Sequence, residues 1–286
     1  MIACMEPVPS ETIIREEGFI HQVKWDGIRG IAVVENGGVR LFNKSGIECT
    51  ARYPELSALS NRLSAGKAIL DGEIVALVDG KPSFYHALRR SMSGSAGAMR
   101  WPIRYIVFDI LSLEGKDLRA KPLHERQRML SARFSDSAFA AQTDSFYDGT
   151  ALFDLMKQRN MEGIVSKRLS SGYCAGKTHS DWFKTKITRR ILCAITGVNY
   201  KNGLPSSLSL GVYREGALTA AGDVGSGLKA QDLTLLSKEL KPGSAPRITC
   251  WVRFSEWTPA GTLRNPVFLG FSDASPLLAM GEEQSV

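Results

Sequence analysis

The chain has no run of about 18 apolar residues, so no membrane-spanning helix is expected. Residues Met1 to Pro7 lack a basic region followed by an apolar stretch, which argues against a signal peptide. Cysteine is sparse and scattered: Cys4, Cys49, Cys174, Cys193 and Cys250 stand far apart. That spacing excludes a zinc knuckle and a C-x-x-C redox pair. An odd number of isolated thiols fits a reducing compartment, and a cytoplasmic location is expected. His21, His86, His124 and His179 are equally isolated and offer no metal-ligand spacing. No internal repeat is present.

What remains is an ordinary globular composition with a basic excess. The 286 residues, 43% hydrophobic and 23% charged, suffice for one large domain or two ordinary ones. The formal net charge of +7 favours polyanionic partners.

Alternation and turn signals predict hairpins over residues 19–48, with strands at Phe19–Lys24, Arg29–Glu35 and Val39–Asn43. A short helix is expected at Pro54–Ala65, a strand at Ala68–Leu77, a helix at Phe84–Arg90 and a mobile loop at Ser91–Ala98. Further strands are expected at Ile103–Leu111, Gly163–Arg168 and Trp182–Lys186, with helices at Leu123–Phe134 and Ala151–Gln158. Past Ile187 the texture becomes short strands split by Gly and Pro. They are Arg189–Val198, Ser207–Tyr213, Ala217–Val224 and Ile248–Trp257, with one helix at Gln231–Lys241. The whole reads as α+β. A mostly antiparallel domain over residues 1–187 is followed by residues 188–286, patterned like a small Greek-key barrel of the OB type.

Five short segments carry chemistry: Lys24-Trp25-Asp26-Gly27, Asp71-Gly72-Glu73, Phe108-Asp109, Glu162-Gly163-Ile164-Val165 and Lys184-Thr185-Lys186. A lysine amine can bond covalently to phosphorus once it has lost its proton. Separated carboxylates can hold a hard metal and ribose hydroxyls. An aromatic can stack on a base, and a lysine pair alternating on a strand puts two charges on one face, where they can share a phosphate. Each segment alone is weak evidence, and their order and spacing together are strong.

These segments, with Met161–Arg168, the run Ser171-Gly172-Tyr173 and Asp181-Trp182-Phe183, resemble the ATP-dependent DNA ligases of the covalent nucleotidyltransferase superfamily. The likeness is greatest to bacterial end-joining ligase domains and small stand-alone bacterial and phage ligases. It covers nearly the whole chain. It implies an antiparallel-sheet nucleotidyltransferase (adenylation) domain, then an OB-fold barrel. It implies that Lys24 is the nucleophile that forms lysyl-AMP from ATP. By the same resemblance Arg29 contacts the ribose or the nick phosphate, and Glu73 binds ribose hydroxyls or a metal. Glu162 helps hold Mg²⁺ or Mn²⁺, Phe108 stacks on adenine, and Lys184 and Lys186 meet the α-phosphate. The implied partner is nicked double-stranded DNA, with a Ku-like end-binding protein as a possible second partner and a monomeric state.

Four positions depart from the family pattern. Gln22 stands where Glu usually contacts the adenine amino group, and its amide oxygen would accept the same hydrogen bond. Lys44 stands where arginine is usual, which keeps the charge and loses the fork. Ser272 and Ala274 occupy the positions of a closing arginine and lysine that orient pyrophosphate, so a weakened self-adenylation step is expected. For DNA, Arg189, Arg190, Lys201, Arg214, Lys229 and Arg253 supply charge on the second domain. A clamp is expected from Ser91–Trp101, with Arg89, Arg90 and Arg100 at its ends. An RNA ligase, a capping-type nucleotidyltransferase and a non-catalytic nick-binding relative are the alternatives.

Overall fold

A computed structural model describes residues 3–78, 80–93, 101–232, 236 and 248–281. The chain forms two compact units, Met1–Ile187 and Thr188–Val286. The first unit contains strands β1 (Glu6–Ser10), β2 (Phe19–Val23), β3 (Ile28–Glu35), β4 (Gly38–Asn43), β5 (Lys67–Val78) and β6 (Lys81–Pro82). Then come helix α1 (Phe84–Ser93), β7 (Ile103–Leu113), β8 (Lys116–Asp117), α2 (Leu123–Ser131) and β9 (Ala140–Gln142). Helix α3 (Gly149–Gln158), β10 (Gly163–Arg168) and β11 (Thr178–Lys186) complete it.

Two sheets build this unit. One has the order β1-β11-β10-β2; the other runs β4-β3-β5-β7-β8, with β6 on β5 and β9 on β7. Pairing is antiparallel except for β1 with β11 and β7 with β9. The larger sheet is covered on both faces. Leu41, Leu70, Tyr105 and Ile110 pack with Leu56, Leu59 and Leu130 on one side. Ile31, Phe108 and Leu111 meet Tyr173 and Trp182 on the other. A strand buried on both faces loses polar alternation, which is why β7 reads as a continuous apolar run.

The expected helix at Pro54–Ala65 is a 3₁₀ helix over Pro54–Arg62. Its buried residues, Leu56 and Leu59, are three apart, the spacing that three residues per turn stacks on one side. Strand β1 was hidden by Pro7 and Pro9. Proline removes a ladder donor and is confined to edges, and β1 is an edge strand with a register shift between Pro7 and Val8. Of the expected loop at Ser91–Ala98, residues 91–93 continue α1 and the rest lies outside the described residues.

The second unit is a five-stranded antiparallel sheet of order β14-β13-β12-β15-β16. Its strands are β12 (Arg189–Lys201), β13 (Leu204–Arg214), β14 (Ala217–Val224), β15 (Thr249–Phe254) and β16 (Val267–Ser272). Tight turns at Asn202-Gly203 and Glu215-Gly216, with φ of 53° and 77°, then 51° and 78°, join the first three. Alternating residues of β12 (Ile191, Cys193, Ile195) and β13 (Leu208, Leu210, Val212) enter one core with Val252 and Phe254. An isolated parallel bridge links Ser226 to Val267, and Phe268 N–H donates to Ser226 O at 2.9 Å. Of the expected helix at Gln231–Lys241, residues 230–232 and 236 are helical and the remainder lies outside the described residues. Strand β16 was not anticipated. No helix among the described residues is long and apolar enough to cross a membrane.

Candidate active site

Three neighbouring strands present one face to a cleft in the first unit. Register sets Gln22, Val165 and Lys184 in one row across β2, β10 and β11. Ile20, Lys167 and Trp182 form a second row. A third is made where Lys24 N–H donates to Gly163 O at 2.9 Å and Gly163 pairs with Lys186. Side chains two apart on a strand share a face, so the rows superpose their chemistry. Across the cleft, β3, β5 and β7 supply Arg29, Glu73 and Phe108, and Lys44 and Glu6 complete the lining. The cavity measures about 300 Å³, within the range of small-molecule sites.

Glu162 is bonded to two lysines. It forms a salt bridge with Lys24 Nζ, and its Oε1 lies 2.8 Å from Lys186 Nζ. Burial pushes its carboxyl up, but Lys24 and Lys186 outweigh this and hold it below the usual carboxylate range. The next residue must be glycine: at φ 141°, a Cβ on Gly163 would lie 2.2 Å from Thr185 O. Lys184 is held below the ordinary lysine range by burial, with Glu6 opposing and Lys24, Lys186 and Lys44 adding to it.

On the opposite wall Arg29 grips Asp71 with both arms of its fork, Nε to Oδ1 and Nη2 to Oδ2, each at 2.6 Å. Tyr173 O–H donates to the same Oδ2 at 2.6 Å. The guanidinium carbon of Arg29 stands 4.5 Å from the centre of the Phe108 ring. Burial pushes the Glu73 carboxyl up to about 8, with Arg29 and Lys24 opposing. Lys44 Nζ lies 3.0 Å from Glu6 Oε1. Phe108 is itself fixed from behind. Asp109 and Arg126, both fully buried, pair at 2.8 Å, and Gln127 Nε2 donates to Phe108 O at 2.6 Å.

Arg90, expected at one end of a DNA clamp, is instead fully buried and bonds both oxygens of Glu55 at 2.9 Å. A polar residue so enclosed pins α1 to the chain around Arg52–Glu55 and does not face solvent.

Lys167 and Trp182 also line the cleft, and although both fall in segments that carry the family resemblance, the sequence assigned them no role there. Alternation in β10 did carry a signal for Lys167, since Val165 and Lys167 must share a face. Lys167 is 2% exposed, and its amine lies 4.3 Å from the Phe108 ring centre and 4.2 Å from that of Trp182. Burial lowers its pKa to about 7. Three buried side-chain polar atoms that line the cleft have no hydrogen-bond partner: Gln22 Oε1, Lys167 Nζ and Trp182 Nε1. Buried polar atoms are ordinarily satisfied, and an acceptor with two donors around an aromatic floor fits a purine edge. No group of three or more His, Cys, Asp or Glu gathers among the described residues. Glu162 offers a carboxylate and Glu73 a second carboxyl group, oxygen ligands of the kind Mg²⁺ takes when water and phosphate complete its shell.

Lysines, carboxylates and a partly unsatisfied aromatic pocket on facing sheets mark a nucleotide-handling protein. The chain belongs to the ATP-dependent DNA ligases: the family model described as "ATP dependent DNA ligase domain" matches residues 1–186. It is 30% identical over 273 residues to the multifunctional non-homologous end joining DNA repair protein LigD of Mycobacterium tuberculosis, covering 86% of this chain and 35% of that protein. The chain thus spans about a third of the length of these curated relatives. The crystal structure of the ligase domain of M. tuberculosis LigD superposes with a TM-score of 0.61 at 28% identity, over 96% of each chain. A mycobacterial DNA ligase D complexed with ATP and MES gives the same TM-score and identity over 98% of each chain.

Proposed function

We propose that this chain seals breaks with a 3′-hydroxyl and a 5′-phosphate in double-stranded DNA, using ATP and passing through AMP bonded to Lys24. The observation that carries this reading is Lys24 at the cleft wall, bonded to Glu162 beside Lys186 and facing Arg29 and Glu73. Glu162 Oε2 accepts a hydrogen bond from the Lys24 amine and orients it, and the amine must lose its proton before it can attack. The Lys24 nitrogen then bonds to the α-phosphorus as the bond to pyrophosphate breaks. The 5′-phosphate oxygen of the nick next attacks that phosphorus, and the Lys24 amine leaves. Finally the 3′-hydroxyl oxygen attacks the 5′-phosphorus, closing the strand and releasing AMP.

Phe108 gives the base its floor. Gln22 Oε1 accepts from the adenine amino group. Glu73 faces the ribose. Arg29, held in place by Asp71, faces the ribose or the nick phosphate, and Lys44 adds charge at the mouth. Lys184 and Lys186 neutralise the α-phosphate. Mg²⁺ or Mn²⁺ on Glu162 and Glu73 would supply further charge neutralisation of the phosphates. Residues 1–187 act as the adenylation domain. Residues 188–286 form an OB-type barrel, a reading supported by the strand order and by the Ser226–Val267 bridge linking the strands at the two ends of the sheet. The names of the end-joining relatives support a role in joining broken ends. A Ku-like partner and a monomeric chain belong to the same proposal.

Lys24→Ala cannot form the phosphorus–nitrogen bond. It should lose all labelling by radioactive ATP, yet close a nick whose 5′ end is already adenylated. Persistent acid-labile AMP on the Lys24→Ala protein would overturn the assignment.

A further inference from the structure

Helix α1 exposes residues that the reaction above does not use. Tyr85, Leu88, Arg89 and Met92 follow the i, i+3, i+4, i+7 spacing of one helical stripe. A stripe with this spacing normally faces a core. Here Tyr85 is 44% exposed, Leu88 42% and Met92 77%. The stripe is not plainly apolar. The Arg89 guanidinium carbon lies 5.7 Å from the Tyr85 ring centre and 5.8 Å from that of Trp101. His86 joins the cluster edge-on to Tyr85 at 5.1 Å, with its Nδ1 2.9 Å from Ser83 Oγ.

A second cavity of about 360 Å³ opens beside this stripe. Phe84, Leu88 and Ser91 of α1 form one wall, and Tyr53, Arg52 and Ser45 stand among the rest. It shares Gly27, Arg29 and Lys44 with the nucleotide cleft. Whatever lies in one cavity is therefore within reach of the other along the wall formed by Arg29 and Lys44.

We propose that α1 and this cavity form a binding site for unpaired nucleotides, which stack on Tyr85 and in the Phe84–Leu88 cavity while Arg89 and Arg52 meet their phosphates. The proposal rests on the ligase reading, because it is DNA in the first cleft that would deliver a strand to the second. Two observations select the occupant. Rings interleaved with guanidinium groups suit a chain of alternating flat bases and anionic phosphates. Paired bases hide their faces in the duplex, so rings placed to stack are useless against it, and a duplex is gripped by cations on its phosphates alone. An apolar protein segment would leave Arg89 and Arg52 uncompensated.

The test is binding by fluorescence anisotropy to three probes: oligothymidylate, a flush nicked duplex, and the same nick carrying a short unpaired thymidine tail. Wild type should be compared with Tyr85→Ala and Leu88→Ser, two exposed positions whose change spares the core. Stacking on one ring predicts that Tyr85→Ala weakens oligothymidylate and tailed-nick binding roughly tenfold, and loss of the apolar cavity wall predicts that Leu88→Ser weakens the same two probes. Binding of the flush nick should stay within about twofold. Oligothymidylate should also quench tryptophan fluorescence less in Trp101→Phe than in wild type. Unchanged binding of all three probes would overturn the proposal. So would equal loss on all three, which would mark a duplex contact. Dimeric wild type made monomeric by Tyr85→Ala, without any DNA effect, would make the stripe an interface between copies and overturn it too. Formation of lysyl-AMP, measured on the same proteins, reports separately on the ligase reading: its absence in wild type would refute that reading whatever the anisotropy shows.

Discussion

Lys167 shows what a single residue can cost and where its benefit must lie. An amine shut between two rings is desolvated, and neither Phe108 nor Trp182 offers it a hydrogen-bond acceptor. In the unfolded chain it titrates near 10.5, and in the fold near 7. Below pH 7 both states hold the proton and the fold carries the full cost of a buried ammonium. Between 7 and 10.5 the unfolded chain binds more protons than the folded one, so this residue makes stability rise with pH across that window. Lys167→Met keeps the stem and removes the charge. Its unfolding temperature should exceed that of wild type by several degrees at pH 6. The advantage should shrink at pH 9, and a difference that ignores pH would contradict the assignment. At this scale the sequence spoke for groups that stand within a few residues of a recognisable pattern, such as Lys24, Glu162 and Lys186. It was silent on Asp71 as the partner of Arg29, because that bond joins positions 42 residues apart. It was silent on Arg90 as a buried residue, because α1 exposes and buries arginines one position apart.

Among the elements, β16 is the most consequential. Its last residue, Ser272, and Ala274 just beyond are tied by their carbonyls to Thr249 Oγ1, at 3.0 and 2.9 Å. The strand end is thus held in place with no cation at either position. Charge-assisted contacts to a leaving group are worth about 2.7–4 kcal/mol each, or roughly 10²–10³ in rate. Self-adenylation should therefore be slow while closure of pre-adenylated nicks, which releases no pyrophosphate, is spared. Ser272→Arg with Ala274→Lys should speed the first and leave the second nearly unchanged in single-turnover kinetics. Equal rates for both steps in wild type, unaltered in the double variant, would show another basic group in that role. Most strands and helices of the first unit were legible because alternation, helical periodicity and Gly-containing turns coincide there. Strand β1 was not, since two prolines argue against a strand everywhere except at an edge, and an edge is a property of the sheet.

For the whole molecule the relevant quantity is charge. A net charge of +7 matters for DNA only if it is spent on phosphates. Contacts to about six to eight of them would give log affinity against log salt a slope of roughly −5 to −7, and a flat profile would show that the excess serves some other purpose. A second consequence follows from the sharing of Glu162 between Lys24 and Lys186. An amine bonded to phosphorus carries no positive charge, so loading AMP turns a carboxylate with two cationic neighbours into one with a single neighbour. On the proposed reading the loaded protein should then be a better chelator than the empty one. Mg²⁺ titrated calorimetrically should bind the AMP-loaded protein more tightly, by roughly tenfold for a coupling of ordinary size. Lys24→Ala, which removes the same cation without any nucleotide, should show part of that gain. Linkage makes the effect reciprocal: by the same factor, the metal ion favours retention of AMP on the protein until a nick arrives to take it.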